Sequence, residues 1–124
     1  MSEMKENVVM DKSFRFALKI IKASNFLIRE KHEFVLSKQL LKSGTSIGAL
    51  VKEAEHAQSK ADFINKMNIA LKEANETEYW LMLFKESDYG SDTTILSLLE
   101  ECNELIRLLI SIVKTSKEHY GSKY

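Results

Sequence analysis

Proline is absent from this chain, and glycine occurs only four times in 124 residues. Strands and hairpins need turn residues at short intervals, so both shortages argue against a β fold; long helices need neither. A single cysteine, Cys102, excludes an internal disulfide and any zinc cluster built on several thiolates. Net charge is also lacking: 18 Lys and Arg balance 18 Asp and Glu, so the global basic signal of a nucleic-acid binder is missing. The opening residues, MSEMKENVVMDK, have no signal-peptide apolar run, and no apolar run approaches the roughly 20 residues of a membrane span. The expected compartment is the cytoplasm. What remains is an apolar share of 44%, ordinary for a globular domain, in a chain long enough for one core.

The hydrophobic pattern is helical from end to end. Residues 1–12 are polar and aperiodic and read as a flexible arm. Ser13 is a candidate cap for a first helix to about Lys31, with Phe14, Leu18, Ile21 and Ile28 on its apolar side. The opposite side carries Lys12, Arg15, Lys19, Lys22 and Arg29, with Phe26 among them. This is a candidate surface for phosphates or an acidic partner, or else a solvated face. A second helix begins between Phe34 and Ser37 and runs to about Ala57. Leu36, Leu40, Ser43, Ile47, Leu50, Ala54 and Ala57 step by four and three, a heptad seam. Its middle, Ser43-Gly44-Thr45-Ser46, is weak in helix propensity. Gly44 and Gly48 each cost about 1 kcal/mol against alanine, so they mark a close approach to another helix or another subunit.

Ser59-Lys60-Ala61-Asp62 is a capping-box variant that opens a third helix. Phe63, Met67, Ala70, Ala74, Thr77, Leu81 and Phe84 form its seam. Ile69, Tyr79, Trp80, Met82 and Leu83 widen the apolar arc beyond what one neighbour needs, which points to self-association. Glu73 and Glu78 border this arc and need a cationic partner or a shifted pKa. Ser87 to Asp92 is a turn, with Ser91 or Asp92 capping a fourth helix to about Ser116. There Ile95, Leu98, Cys102, Leu105, Leu109, Ile112 and Ser116 form the seam. Residues 117–124 read as a polar tail. The fold predicted is all-α: an antiparallel up-down-up-down four-helix bundle over 13–116, between a flexible arm and a flexible tail. Charge is unevenly spread, with 11 basic and 7 acidic residues in 1–60 and the reverse, 7 and 11, in 61–124.

Nothing in the chain has the spacing of a catalytic set. Glu53 and His56 form one Glu-x-x-His, but a di-iron bundle needs a second copy and two further glutamates. Cys102, on the buried seam, reads as a small core hydrophobe. No cofactor and no metal is expected; a metal enzyme using Glu53, His56, Glu73 or Glu78 is the remote alternative.

The stretch from Gln39 to Leu81 carries a more specific signal. Its elements are Gln39-Leu40, Ser46-Ile47-Gly48-Ala49, Glu53-Ala54, Ser59, Asp62-Phe63, Lys66, Ile69-Ala70-Leu71-Lys72-Glu73-Ala74, Glu76-Thr77 and Tyr79-Trp80-Leu81. Together they resemble the small bacterial bundle proteins encoded in intervening sequences of the large-subunit ribosomal RNA gene, often labelled S23 ribosomal proteins. With weaker matches upstream, the resemblance covers about residues 12–85. It implies a four-helix bundle without enzymatic activity, and some members look like homopentameric rings. A related branch, the accessory variability determinant of diversity-generating retroelements, implies nucleic acid and a reverse transcriptase as partners. Two departures stand out: Leu50 where the family usually has asparagine, and a neutral chain where the retroelement branch is basic. The expectation is therefore an oligomeric binding bundle, or a homo-oligomeric scaffold without nucleic acid. Its candidate subunit contacts are Gly44, Gly48, Tyr79, Trp80, Met82 and Leu83, and its candidate nucleic-acid contacts are Lys12, Arg15, Lys19, Lys22 and Arg29.

Overall fold

The structure, a computed structural model, describes residues 2–87, 89 and 93–121. Four helices account for nearly all of them: α1 (Ser2–Arg29), α2 (Leu36–Glu55), α3 (Lys60–Glu86) and α4 (Thr93–Gly121). Each packs on its two neighbours around a square, α1 on α2, α2 on α3, α3 on α4 and α4 back on α1. Cross-helix contacts fix the directions. Thr77 meets Ser43 and Lys66 meets Glu53, so α2 and α3 are antiparallel. Lys5 meets Ser111, Lys12 meets Glu104 and Lys19 meets Glu101, so α4 runs antiparallel to α1. This is the up-down-up-down bundle that short connections dictate.

The seams predicted for the last two helices are the observed ones. In α4, Ile95, Leu98, Cys102, Leu105, Leu109, Ile112 and Ser116 are all buried. In α3, Met67, Ala70, Ala74, Thr77, Leu81 and Phe84 are buried and Phe63 half-buried. Ser59 caps α3: its Oγ accepts from the Asp62 amide (3.0 Å), while the Asp62 carboxylate accepts from the Gln58 amide (3.3 Å). On α2, Leu40, Ser43, Ile47 and Ala54 are buried; Leu36, Leu50 and Ala57 are half-buried, and Ser37, Gly44 and Val51 complete the face.

Three expectations are corrected. The first helix begins at Ser2, not Ser13. Ser13 is 1% exposed in mid-helix, where its hydroxyl donates to the Met10 carbonyl oxygen (3.2 Å). Residues 3–12 are helical because Val9 enters the core and Lys5 reaches Ser111 (2.7 Å). That support comes from α4 and leaves little trace in local periodicity. The apolar side of α1 is also different. Phe14, Leu18 and Ile21 are exposed, at 65%, 49% and 41%; the core face is Val9, Phe16, Ile20, Ala23 and Leu27, with Ser13 and Ser24. Both rows keep a helical period, and the two serines hid the one that is used. Finally, α4 continues through Lys117 to Gly121 instead of ending at Ser116. The caps proposed at Ser91 and Asp92, most of the Ser87–Asp92 turn and the last three residues of the tail lie outside the described residues.

The glycines explain which face of α1 turns inward. A β-carbon on Gly44 would lie 2.9 Å from Cγ1 and Cγ2 of Ile20, and one on Gly48 would lie 3.3 Å from the Ser13 carbonyl oxygen. The two glycines therefore admit α1 within the same chain, the helix–helix alternative of the two read for them. The weak segment around them stays helical because Ser43, Gly44 and Ile47 are buried against the neighbouring helices, and its hydroxyls find partners there. Thr45 donates to Leu41 O (2.7 Å), Ser46 donates to Lys42 O (2.6 Å), and Ser43 bonds Thr77 (2.9 Å).

Candidate interaction surfaces

Five of the six cations of α1, Lys12, Arg15, Lys19, Lys22 and Arg29, do not form one free stripe. Lys12 Nζ is 2.5 Å from Glu104 Oε1, and Lys19 Nζ is 2.9 Å from Glu101 Oε2. Arg15 Nε donates to both carboxylate oxygens of Asp11, at 3.1 and 3.0 Å. Pairs this exposed contribute about 0.2–1 kcal/mol each and are screened by salt, so they stabilise little. They do leave Lys12, Arg15 and Lys19 shared with carboxylates, which weakens the attraction for a phosphate. Lys22 and Arg29 have no carboxylate within ion-pair distance among the described residues. The acidic positions of α4 that neutralise Lys12 and Lys19 are visible in the sequence as Glu101 and Glu104, but only the antiparallel α1–α4 register shows what they face.

Phe26 is 44% exposed at the edge of this surface, with Lys31 Nζ 5.9 Å from its ring centroid. Beside it a groove of about 850 Å³ runs between α1 and α4. Sequence reasoning singled out Lys19, Lys22 and Phe26 but not the groove, because its other wall comes from the start of α4.

On α3, Tyr79 and Met82 are exposed, while Trp80 and Leu83 are half-buried. Tyr79 and Trp80 meet edge to face, centroids 5.3 Å apart. Trp80 Nε1 is buried without a hydrogen-bond partner among the described residues. On α4, Leu96 and Ile110 add two more exposed apolar side chains. The surface that sequence reasoning missed is the row Phe14, Leu18 and Ile21, which it had placed in the core. The one available signal was a surplus: α1 has more large apolar residues than a helix with two neighbours can bury.

The ionisable groups inside the bundle have separate causes. Burial pushes the Cys102 thiol up to about 12, the charge of Glu78 adds to this, and Sγ donates to the Ala74 carbonyl oxygen (3.3 Å). Burial also raises the Glu73 carboxyl and Glu76 adds to it; Lys42 and Lys72 act against the rise without pairing closely. Glu33 goes the other way. Burial raises its pKa, but hydrogen bonds from the amides of Leu36 (3.0 Å), Ser37 (2.7 Å) and Val35 (3.2 Å) outweigh this and leave it lowered. Glu53 and His56 do not face a common point: Glu53 pairs with Lys66 (3.1 Å), and His56 lies 3.8 Å from Glu55. Among the described residues no three His, Cys, Asp or Glu side chains are grouped as a metal site. No described helix is long and apolar enough to cross a membrane.

Residues 5–111 match the family described as 23S rRNA-intervening sequence protein. The chain belongs to this family. A solved member of the S23 ribosomal protein family from Bacteroides thetaiotaomicron VPI-5482, a protein of unknown function, is 57% identical. The match covers 89% of this chain and 98% of that one, with a TM-score of 0.86. The resemblance, read over about residues 12–85, thus extends to residues 5–111, into α4. Membership brings the fold with it, and the role is left to the surfaces described above.

Proposed function

We propose that this intervening-sequence family protein is a non-enzymatic bundle that self-associates and acts by binding. The observation that carries the reading is the row Phe14, Leu18 and Ile21, three large apolar side chains one helical turn apart on the outside of α1. A soluble helix with two neighbours has no reason to keep such a row in water unless another surface covers it. Charge argues that the cover is a second copy. Residues 1–60 carry a surplus of basic groups and residues 61–124 an equal surplus of acidic ones. The outer sides of α3 and α4 offer Tyr79, Met82, Leu96 and Ile110 in return. A contact of the α1–α2 side with the α3–α4 side of the next copy is heterologous, and heterologous contacts form a ring where the rotation closes and a filament where it does not. Five subunits is the number that the family resemblance suggests.

Light scattering on a size-exclusion column tests this. The wild type should elute as a multiple of 14.3 kDa, and the double variant Leu18→Glu with Ile21→Glu as a folded monomer. A wild-type monomer at micromolar concentration overturns the reading.

A second reading, nucleic-acid binding through α1, is favoured by Lys22 and Arg29, which have no acidic partner among the described residues. Repetition of the surface around a ring would multiply a weak contact. Binding of RNA or duplex DNA should then weaken steeply with salt. If Lys19→Glu with Lys22→Glu leaves it unchanged, this reading fails. A reverse transcriptase remains the protein partner that the resemblance suggests.

A further inference from the structure

The groove between α1 and α4 lies on the other side of α1 from the Phe14 row, so what occupies it is a separate question from self-association. Its floor is apolar: Leu27 of α1 and Ile95 and Leu98 of α4 line it and are nearly fully buried. Its volume, about 850 Å³, is within the range of small-ligand clefts. Three lysines edge it, Lys19, Lys22 and Lys31, against one carboxylate, Glu101, which Lys19 already holds. Lys22 has no acidic partner among the described residues. Lys31 Nζ stands over the Phe26 ring at 5.9 Å, an exposed and weak contact that a better partner displaces easily. Phe26 itself leaves 44% of its surface open instead of closing over the floor.

An excess of ammonium groups calls for an anion, and an exposed aromatic side chain beside an apolar floor, covered only by a displaceable lysine, calls for a planar ring. A phosphate is the anion that two ammonium groups without a carboxylate partner hold well as point charges, and a base stacks on an aromatic ring. We propose that the α1–α4 groove binds a nucleotide, with its phosphate between Lys22 and Lys31 and its base against Phe26. This shares Lys19 and Lys22 with the second reading above, but it places the ligand in a cleft and not along the length of α1. The same chemistry is offered by a free mononucleotide and by the end of a single strand.

Amide chemical shifts of ¹⁵N-labelled full-length protein, titrated with AMP, ribose 5-phosphate and a short oligoadenylate, test the proposal. AMP should shift the amides of Ala23, Phe26 and Leu98. Phe26→Ala should weaken AMP roughly tenfold, about one stacked base, and leave ribose 5-phosphate as it was. Lys22→Glu with Lys31→Glu should remove both. All three positions are exposed, so the variants should keep the wild-type helix content. Oligoadenylate saturating the same amides at lower concentration than AMP identifies a strand end as the ligand; equal or weaker binding identifies the free nucleotide. No shift with AMP at roughly 10 mM, where even a millimolar site is mostly filled, overturns the proposal. So do shifts that Phe26→Ala and the double lysine variant leave unchanged. Oligoadenylate shifts spread from Arg15 to Arg29 and indifferent to Phe26→Ala would instead uphold the helix-surface reading while sinking this one.

Discussion

Single residues in this bundle matter most where they are polar and inside. The hydroxyl of Thr77 lies 2.9 Å from that of Ser43 and 2.7 Å from the Glu73 carbonyl oxygen, and both hydroxyl-bearing residues are buried. Removing one partner strands the other, which costs about 1–3 kcal/mol; removing both costs far less. Thr77→Val should therefore lower the unfolding free energy by about 1–2 kcal/mol, and Ser43→Ala on top of it should recover part of the loss. A double-mutant cycle by urea denaturation reads the coupling directly. Cys102 makes the complementary case. It is fully buried with its thiol pushed up to about 12, so almost no thiolate exists at neutral pH. A thiol reagent should label the native protein only at the rate of global unfolding, and labelling in urea should be complete.

At the scale of the element, α2 is the helix whose own sequence supports it least. Its N-terminus has no capping side chain at Val35; the Glu33 carboxylate, two residues earlier, receives the first amides instead. Because that carboxyl is held below its ordinary 4.5, the charged form favours the folded state. Its contribution is full above the unfolded value and is lost as pH falls through the lower folded one. Glu33→Gln should cost about 1 kcal/mol at pH 7, a typical cap. The gap between variant and wild type should close in acid, as melting temperatures against pH would show. The glycines of α2 separate by what stands before them. Alanine at 44 meets the branched, fully buried Ile20 at 2.9 Å. Overpacking of about 1–3 kcal/mol then exceeds the roughly 1 kcal/mol that alanine returns in helix propensity. Alanine at 48 meets the Ser13 carbonyl oxygen at 3.3 Å and gains about what it loses. Chemical denaturation should find Gly44→Ala destabilised and Gly48→Ala near wild type.

For the whole molecule, the uneven charge is the feature with consequences. A ring built from basic-side to acidic-side contacts is held partly by exposed charges, and these are screened over about 8 Å at physiological salt. The apolar part of the contact strengthens in sulfate. The oligomer should therefore loosen between low and moderate sodium chloride and tighten again in ammonium sulfate, as light scattering at fixed protein concentration would show. A mass that does not change in either salt would mean that charge has no part in the contact.

The sequence by itself determined the number of helices, the approximate ends of α2 and α3 and the inward faces of α3 and α4. In Met67–Phe84 and Ile95–Ser116 the other apolar residues flank a single unbroken seam, so the seam marks the face that turns inward. It also determined the family, because the string from Gln39 to Leu81 joins fold-specific positions that a generic bundle would not need. For α1 the same reasoning had two rows to choose from, and chose the one that the structure leaves outside. Only the tertiary structure decided between them, since Gly44 and Gly48 admit the backbone of α1 at Ser13 and the side chain of Ile20 on one side alone. The same holds for the charges: Lys12 and Lys19 are ordinary surface lysines until the antiparallel register brings Glu104 and Glu101 against them. Periodicity records which residues share a face of one helix. What that face meets depends on residues some eighty or ninety positions away, and there packing and pairing decide.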